Sequence, residues 1–117
     1  MESNPVRWVE GAAVVTLPEE VDVATAGDIR HQLLSVINQG PSTLVVDMTA
    51  TTFCDSSCVN AVVRAYHRAV AAGTPMRLAT ASTGVRRVFE ITEIDRLIPV
   101  YGSVDEALDS GHTPDTV

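Results

Sequence analysis

A chain of 117 residues is long enough to bury one real core and too short for two. Its 45% apolar and 20% charged content excludes wholesale disorder, and with only 4% aromatic residues the core must rest on Val, Leu, Ile and Ala. The net charge of −7 repels phosphate backbones and argues against a nucleic-acid partner; because every basic residue is Arg, Schiff-base and P-loop lysine chemistry are excluded as well.

The opening "MESNPVRWVEG" has no apolar stretch of signal-peptide length, and no later run approaches the roughly 18 apolar residues of a membrane span. A cytoplasmic protein without a membrane role is expected, and there thiols stay reduced. Cys54 and Cys58 are therefore read as free thiols that fill space. A C-x3-C pair with no further Cys, and no His at ligand spacing, is weak as a metal site. No metal and no cofactor is expected.

"PVRWVE" alternates around Val6, Trp8 and Glu10, and "AAVVTLP" follows Gly11, which predicts two short strands joined at Glu10-Gly11. Pro18 ends the second. Ile29, Leu33, Leu34 and Ile37 then recur at helical spacing, with Thr25 or Asp22 as the cap and Gly40-Pro41 as the stop. "STLVVDM" carries three consecutive apolar residues, Leu44 to Val46, as a central strand covered on both faces requires.

Val59, Val62, Val63, Tyr66 and Val70 mark a second helix that ends near Gly73, and "PMRLAT" predicts another strand. Ser82 caps a third helix whose buried side is Val85, Val88 and Phe89. "RLIPVYG" is a last strand, made an edge by Pro99, which removes a ladder donor. Ser103 and Glu106 form a capping box for a terminal helix through Leu108, and "SGHTPDTV" reads as a loose tail. A hairpin followed by repeated helix-strand units predicts an α/β fold, a mixed β-sheet with helices packed on it.

The chemistry-bearing stretch is "TTFCDSSCVNAV", Thr51 to Val62, where a strand gives way to a helix. A Ser57 nucleophile would need a nearby base. The surrounding letters are not G-x-S-x-G, His67 lies two to three turns along the same helix, and His112 falls in the tail. His31 could approach only through folding. Asp22, Asp47 and Asp55 suit caps, turns or surface charge better than a metal site. Asp55 or Ser56 can cap the second helix, but one cap needs one such residue, which leaves Ser57 without a structural task. A phosphate added there would find open amides in the first turn and would bring about −1.5 to −2 charges beside Asp55. From these letters alone, a plain cap and a phosphorylation switch both remain open.

The stretch from "LVVDMTATTFCDSSCVNAVV" through "VRRVFEITEIDRLIPVYGSVDEAL" resembles the anti-sigma factor antagonists, the single-domain members of the STAS family. Their pattern is an apolar strand ending in Asp, a short loop, F-x-D-S-S-G, and a helix that begins with small and apolar residues. Upstream, "AAVVTLPEEVDVATAGDIRHQL" is similar to the family's second strand, acidic turn and first helix. The resemblance implies a STAS domain over residues 1–110, with 111–117 as tail. It also implies a non-enzymatic binding protein that engages an anti-sigma factor, often itself a serine kinase, and so releases a sigma factor. Carried across, the likeness implies that phosphorylation of Ser57 turns binding off and that a phosphatase restores it.

The same likeness assigns Asp22, Asp55, Ser56, Ser57, Cys58, Asn60 and Arg64 to the partner-binding surface. Cys58 and Asn60 stand where the family commonly has Gly, which points to an altered partner pocket or, as a minor idea, a redox-sensitive Cys58 thiol. Two competing readings are a non-phosphorylated STAS module in a larger signalling or transport assembly and a small nucleotide-binding protein. The second has no phosphate loop to support it.

Overall fold

The structure is a computed structural model that describes residues 4–109. Strands β1 (Val6–Val9) and β2 (Ala12–Thr16) pair antiparallel from Val6↔Val15 to Val9↔Ala12. Their two-residue turn needs left-handed backbone at both positions, and Glu10 (φ 51°) and Gly11 (φ 90°) adopt it. The chain then passes through β3 (Glu20–Val21), α1 (Val23–Asn38), β4 (Leu44–Asp47), β5 (Phe53–Cys54), α2 (Ser56–Ala72) and β6 (Met76–Ala79). Helix α3 (Thr83–Ile91), a 3-10 turn at Ile94–Arg96, β7 (Val100–Tyr101) and α4 (Val104–Asp109) complete it.

The main sheet has the order β1-β2-β4-β6-β7, antiparallel at the hairpin and parallel elsewhere. The expected mixed sheet is therefore present, with β4 at its centre and all four of its residues buried. Alternation along the strands separates two apolar layers. Ala13, Val15, Leu44, Val46, Met76 and Leu78 join the large core with residues of α1, α2 and α3, including Leu33, Val62 and Phe89. Val14 and Val45 point the other way, onto Ala107, Val104 and Leu108 of α4. Burial on both faces is why β4 reads as a continuous apolar run.

Several details depart from the sequence reading. Val70 is 59% exposed, not buried. The buried face of α2 is instead Cys58, Ala61, Val62, Ala65 and Ala69, because small side chains let α2 lie close against α1. The last strand is cut to two residues: a 3-10 turn occupies Ile94–Arg96, and Pro99 has no N–H to start a ladder. A second, two-stranded parallel sheet, β3 with β5, was not expected from the pattern. The expected tail, 111–117, and His112 within it lie outside the described residues. Among the described residues, no helix is long and apolar enough to cross a membrane.

Candidate functional site

The small β3–β5 sheet positions the site. Glu20 pairs with Phe53 and Val21 with Cys54, so the next residue on each strand, Asp22 and Asp55, emerges in register. Each is the N-cap of the helix that follows. Asp22 accepts from the Ala24 amide at 2.9 Å, and the Thr25 hydroxyl accepts from the Asp22 amide at 3.1 Å, so both candidate caps take part. Asp55 Oδ1 accepts from the amides of Ser57 at 2.9 Å and Cys58 at 3.3 Å. Two helices thus begin side by side beyond the carboxyl ends of β2 and β4.

Asp55 also corrects the expectation of open amides at Ser57. Its carboxylate takes the Ser57 and Cys58 amides, and its carbonyl takes the Val59 amide at 3.1 Å. An added phosphate would have to find other donors. The Ser57 side chain itself is half-buried and makes no hydrogen bond among the described residues. Ser56 is exposed beside it. The hydroxyl has no structural work and is not sealed in the core.

The cysteines depart most clearly from expectation. Cys54 and Cys58 are not free thiols; they form a disulfide, with Cα atoms 5.4 Å apart. The bond ties the residue before the cap to the first turn of α2. Because Cys58 is 1% exposed and lies on the buried face, it cannot touch a partner directly, and a disulfide sulfur offers no thiolate to titrate. The side chain that replaces the family's glycine points inward, away from the partner side. Spacing concealed this. A four-residue separation on a straight helix does not bond sulfurs, but here Cys54 lies on a strand and the chain turns at Asp55.

A groove of about 340 Å³ runs between α1 and α2, lined by Val23, Ala26, Gly27 and Arg30 from one helix and Ser57, Asn60, Ala61 and Arg64 from the other. It brings together three of the predicted residues, Ser57, Asn60 and Arg64. Asn60 accepts from Arg64 Nε at 3.0 Å. Arg30 was not anticipated from sequence; its position two turns into α1 became meaningful only once β3 set α1 beside α2. Asp47, the buried last residue of β4, serves the turn that follows: its carboxylate accepts from the Thr49 amide at 2.9 Å and hydroxyl at 2.6 Å, and from Thr16 Oγ1 at 3.2 Å. His67 stacks near Tyr66 and does not line the groove. A larger cleft of about 770 Å³ lies at the opposite end of the sheet, around Val9, Ser42, Thr43 and Arg77, remote from the D-S-S stretch.

The chain is thus an α/β domain, a mixed sheet with helices on both faces, whose paired helix starts carry a partly exposed D-S-S segment. The STAS domain profile matches residues 5–107, and the chain belongs to the STAS domain family. A Thermotoga neapolitana protein named as an anti-sigma factor antagonist homolog is 22% identical over 106 residues, covering 90% of this chain and 94% of that protein. The fold is similar to an anti-sigma factor antagonist (STAS) domain protein from Planctomyces limnophilus, with a TM-score of 0.83, 22% identity, and 94% and 98% of the two chains covered. It is also similar to the anti-sigma factor antagonist SpoIIAA in its unphosphorylated form, with a TM-score of 0.79, 23% identity, and 97% and 100% covered.

Proposed function

We propose that the protein is an anti-sigma factor antagonist that binds an anti-sigma factor, itself a serine kinase, and is switched off by phosphorylation at Ser57. The observation that carries this reading is the state of Ser57: an accessible hydroxyl with no internal hydrogen bond, in the first turn of α2. Among similar folds, SpoIIAA of Bacillus has been solved in both unphosphorylated and phosphorylated forms. Transfer would form an Oγ–P bond and break the bridging P–O bond of ATP, with ADP leaving and the hydroxyl proton passing to a base of the kinase. A phosphatase would return the phosphate to water. The protein acts by binding and has no chemistry of its own.

The contact surface is centred on the helix starts. Asp22, Asp55, Ser56, Asn60 and Arg64 frame it, with Cys58 shaping it from beneath. Val23, 81% exposed, and Phe53, 47% exposed, add apolar contact points on either side of the paired caps. Partner desolvation of such isolated apolar groups supplies affinity, and the polar frame supplies specificity.

Ser57→Ala is expected to bind the partner as the parent does and to gain no phosphate on incubation with kinase and ATP. Ser57→Asp is expected to bind less tightly. Equal affinity of the two variants for the cognate partner, measured by calorimetry, would refute the switch. Likeness to a chain of the stressosome keeps one alternative, a STAS module held unphosphorylated in a larger assembly. Intact mass after kinase treatment separates the two: an unchanged mass favours the assembly.

A further inference from the structure

We propose that the groove between α1 and α2 is a phosphate-monoester site in which Arg30 and Arg64 together clamp the phosphate carried by Ser57. The inference rests on Ser57 being the acceptor and adds where the new charge goes.

In a chain of net charge −7, the lining of this groove contains two guanidiniums and no carboxylate. The larger cleft at the far end of the sheet holds one arginine, Arg77, with Glu10, Asp105 and Asp109 beside it, and a third cleft of about 330 Å³ holds Arg86 alone. Arg30 makes no hydrogen bond or ion pair among the described residues. Arg64 spends only Nε, on Asn60, and both its Nη groups remain unbonded there. Two like charges that share one groove without a counter-charge repel each other, and a dianion between them removes that cost.

Arg64 lies seven residues beyond Ser57, about 10 Å along the helix axis. Long side chains on a helix lean back toward its N-terminus. Arg64 does so visibly, because its Nε reaches Asn60, a full turn nearer Ser57. Arg30 holds the matching place on α1, seven residues beyond Val23. The floor between them is Ala26, Gly27 and Ala61, which leaves the groove open, and even a Cβ built on Gly27 meets nothing within 4 Å.

The amides of Ser57, Cys58 and Val59 are already held by Asp55, so these three first-turn donors are not available to the phosphate. The two cap acids, Asp22 and Asp55, turn carboxylate oxygens to backbone amides and do not line the groove. Arginine forks match phosphate oxygens in pairs, so a phosphate on Ser57 finds its partners across the groove. Its charge of about −1.5 to −2 then cancels the two guanidiniums, and the off state is a filled, neutralised groove as much as a repelling surface. A carboxylate at position 57 is shorter and singly charged, and reproduces this only in part.

The test uses the full chain with phosphoserine installed at position 57 during synthesis, which needs no kinase. The 31P signal is followed through the second phosphate ionisation in the parent, in Arg30→Gln/Arg64→Gln, and in Arg87→Gln on α3 as a charge control. The clamp is expected to hold the midpoint about one unit lower in the parent than in the double variant, with Arg87→Gln like the parent. Exposed Arg64→Gln alone is expected to shift it part of the way, and it serves should the double variant fail to fold. A midpoint that ignores both groove arginines overturns the clamp. A kinase that never modifies Ser57 sinks the switch instead and leaves this measurement intact.

Discussion

Asp55 and Ser57 are two residues apart and do opposite kinds of work. Asp55 satisfies two amides that would otherwise be orphaned at the start of α2, and its removal should be felt by the whole domain. Asp55→Ala is expected to lower stability by about 1 kcal/mol, read as a fall in the urea midpoint with an unchanged slope. A midpoint equal to the parent's would mean that the cap does not carry the helix start. The Ser57 hydroxyl makes no hydrogen bond among the described residues and so contributes none to the fold there. The letters Asp-Ser-Ser offered Asp55 or Ser56 as the cap, and the structure selects Asp55 and leaves the Ser57 hydroxyl as a polar surplus. The disulfide was not legible: it depends on Cys54 leaving a strand at the angle that brings its sulfur over the first turn of α2, and the reduced thiols inferred from composition pointed the other way.

The paired helices depend on small residues. Ala61, Ala65 and Ala69 repeat on the face of α2 that meets α1, and Ala65 is completely buried. A helix read by its valines places the core on the wrong side at Val70, because alanine carries little hydropathy yet permits the closest backbone approach. Ala65→Leu is expected to push α1 and α2 apart and to cost about 1–3 kcal/mol through overpacking, visible as a lower thermal midpoint. A neutral substitution would show that the contact has slack. The same displacement would widen the groove that Arg30 and Arg64 share, so phosphate-dependent effects should weaken in step with stability. The terminal helix follows its sequence signal closely: Ser103 Oγ accepts from the Glu106 amide at 3.1 Å, and Glu106 Oε1 reaches back to the Gly102 amide at 3.1 Å.

For the molecule as a whole, stability is concentrated in the middle of the sheet, and the proposed contact surface lies at one end. Strands β2, β4 and β6 are each paired on both sides and covered above and below, while β1 and β7 have one partner each. Amide exchange should therefore rank the strands. The amides of Val45 and Val46 are expected to exchange only through global unfolding, and those of β1 at a lower opening free energy. Equal protection across β1 and β4, followed by NMR, would contradict that order. Placing the helix starts beyond the ends of the central strands gives the D-S-S segment a rigid base. A phosphate there can then alter a surface without unfolding anything.

Several features needed only local information: the hairpin turn at Glu10-Gly11, the central strand at Leu44–Asp47, the helix stops at Gly40 and Gly73, and the polar surplus at Ser57. Each is set by backbone sterics, by short-range hydrogen bonding or by the period of apolar residues, and these are written along the chain. Tertiary contact alone decided the rest. The β3–β5 pairing joins residues more than thirty positions apart, and through it Asp22 and Asp55 emerge in register while Arg30, Arg64 and Ser57 come to line one groove. No periodicity records such a meeting, because it exists only after the loops close and the alanine face of α2 settles on α1.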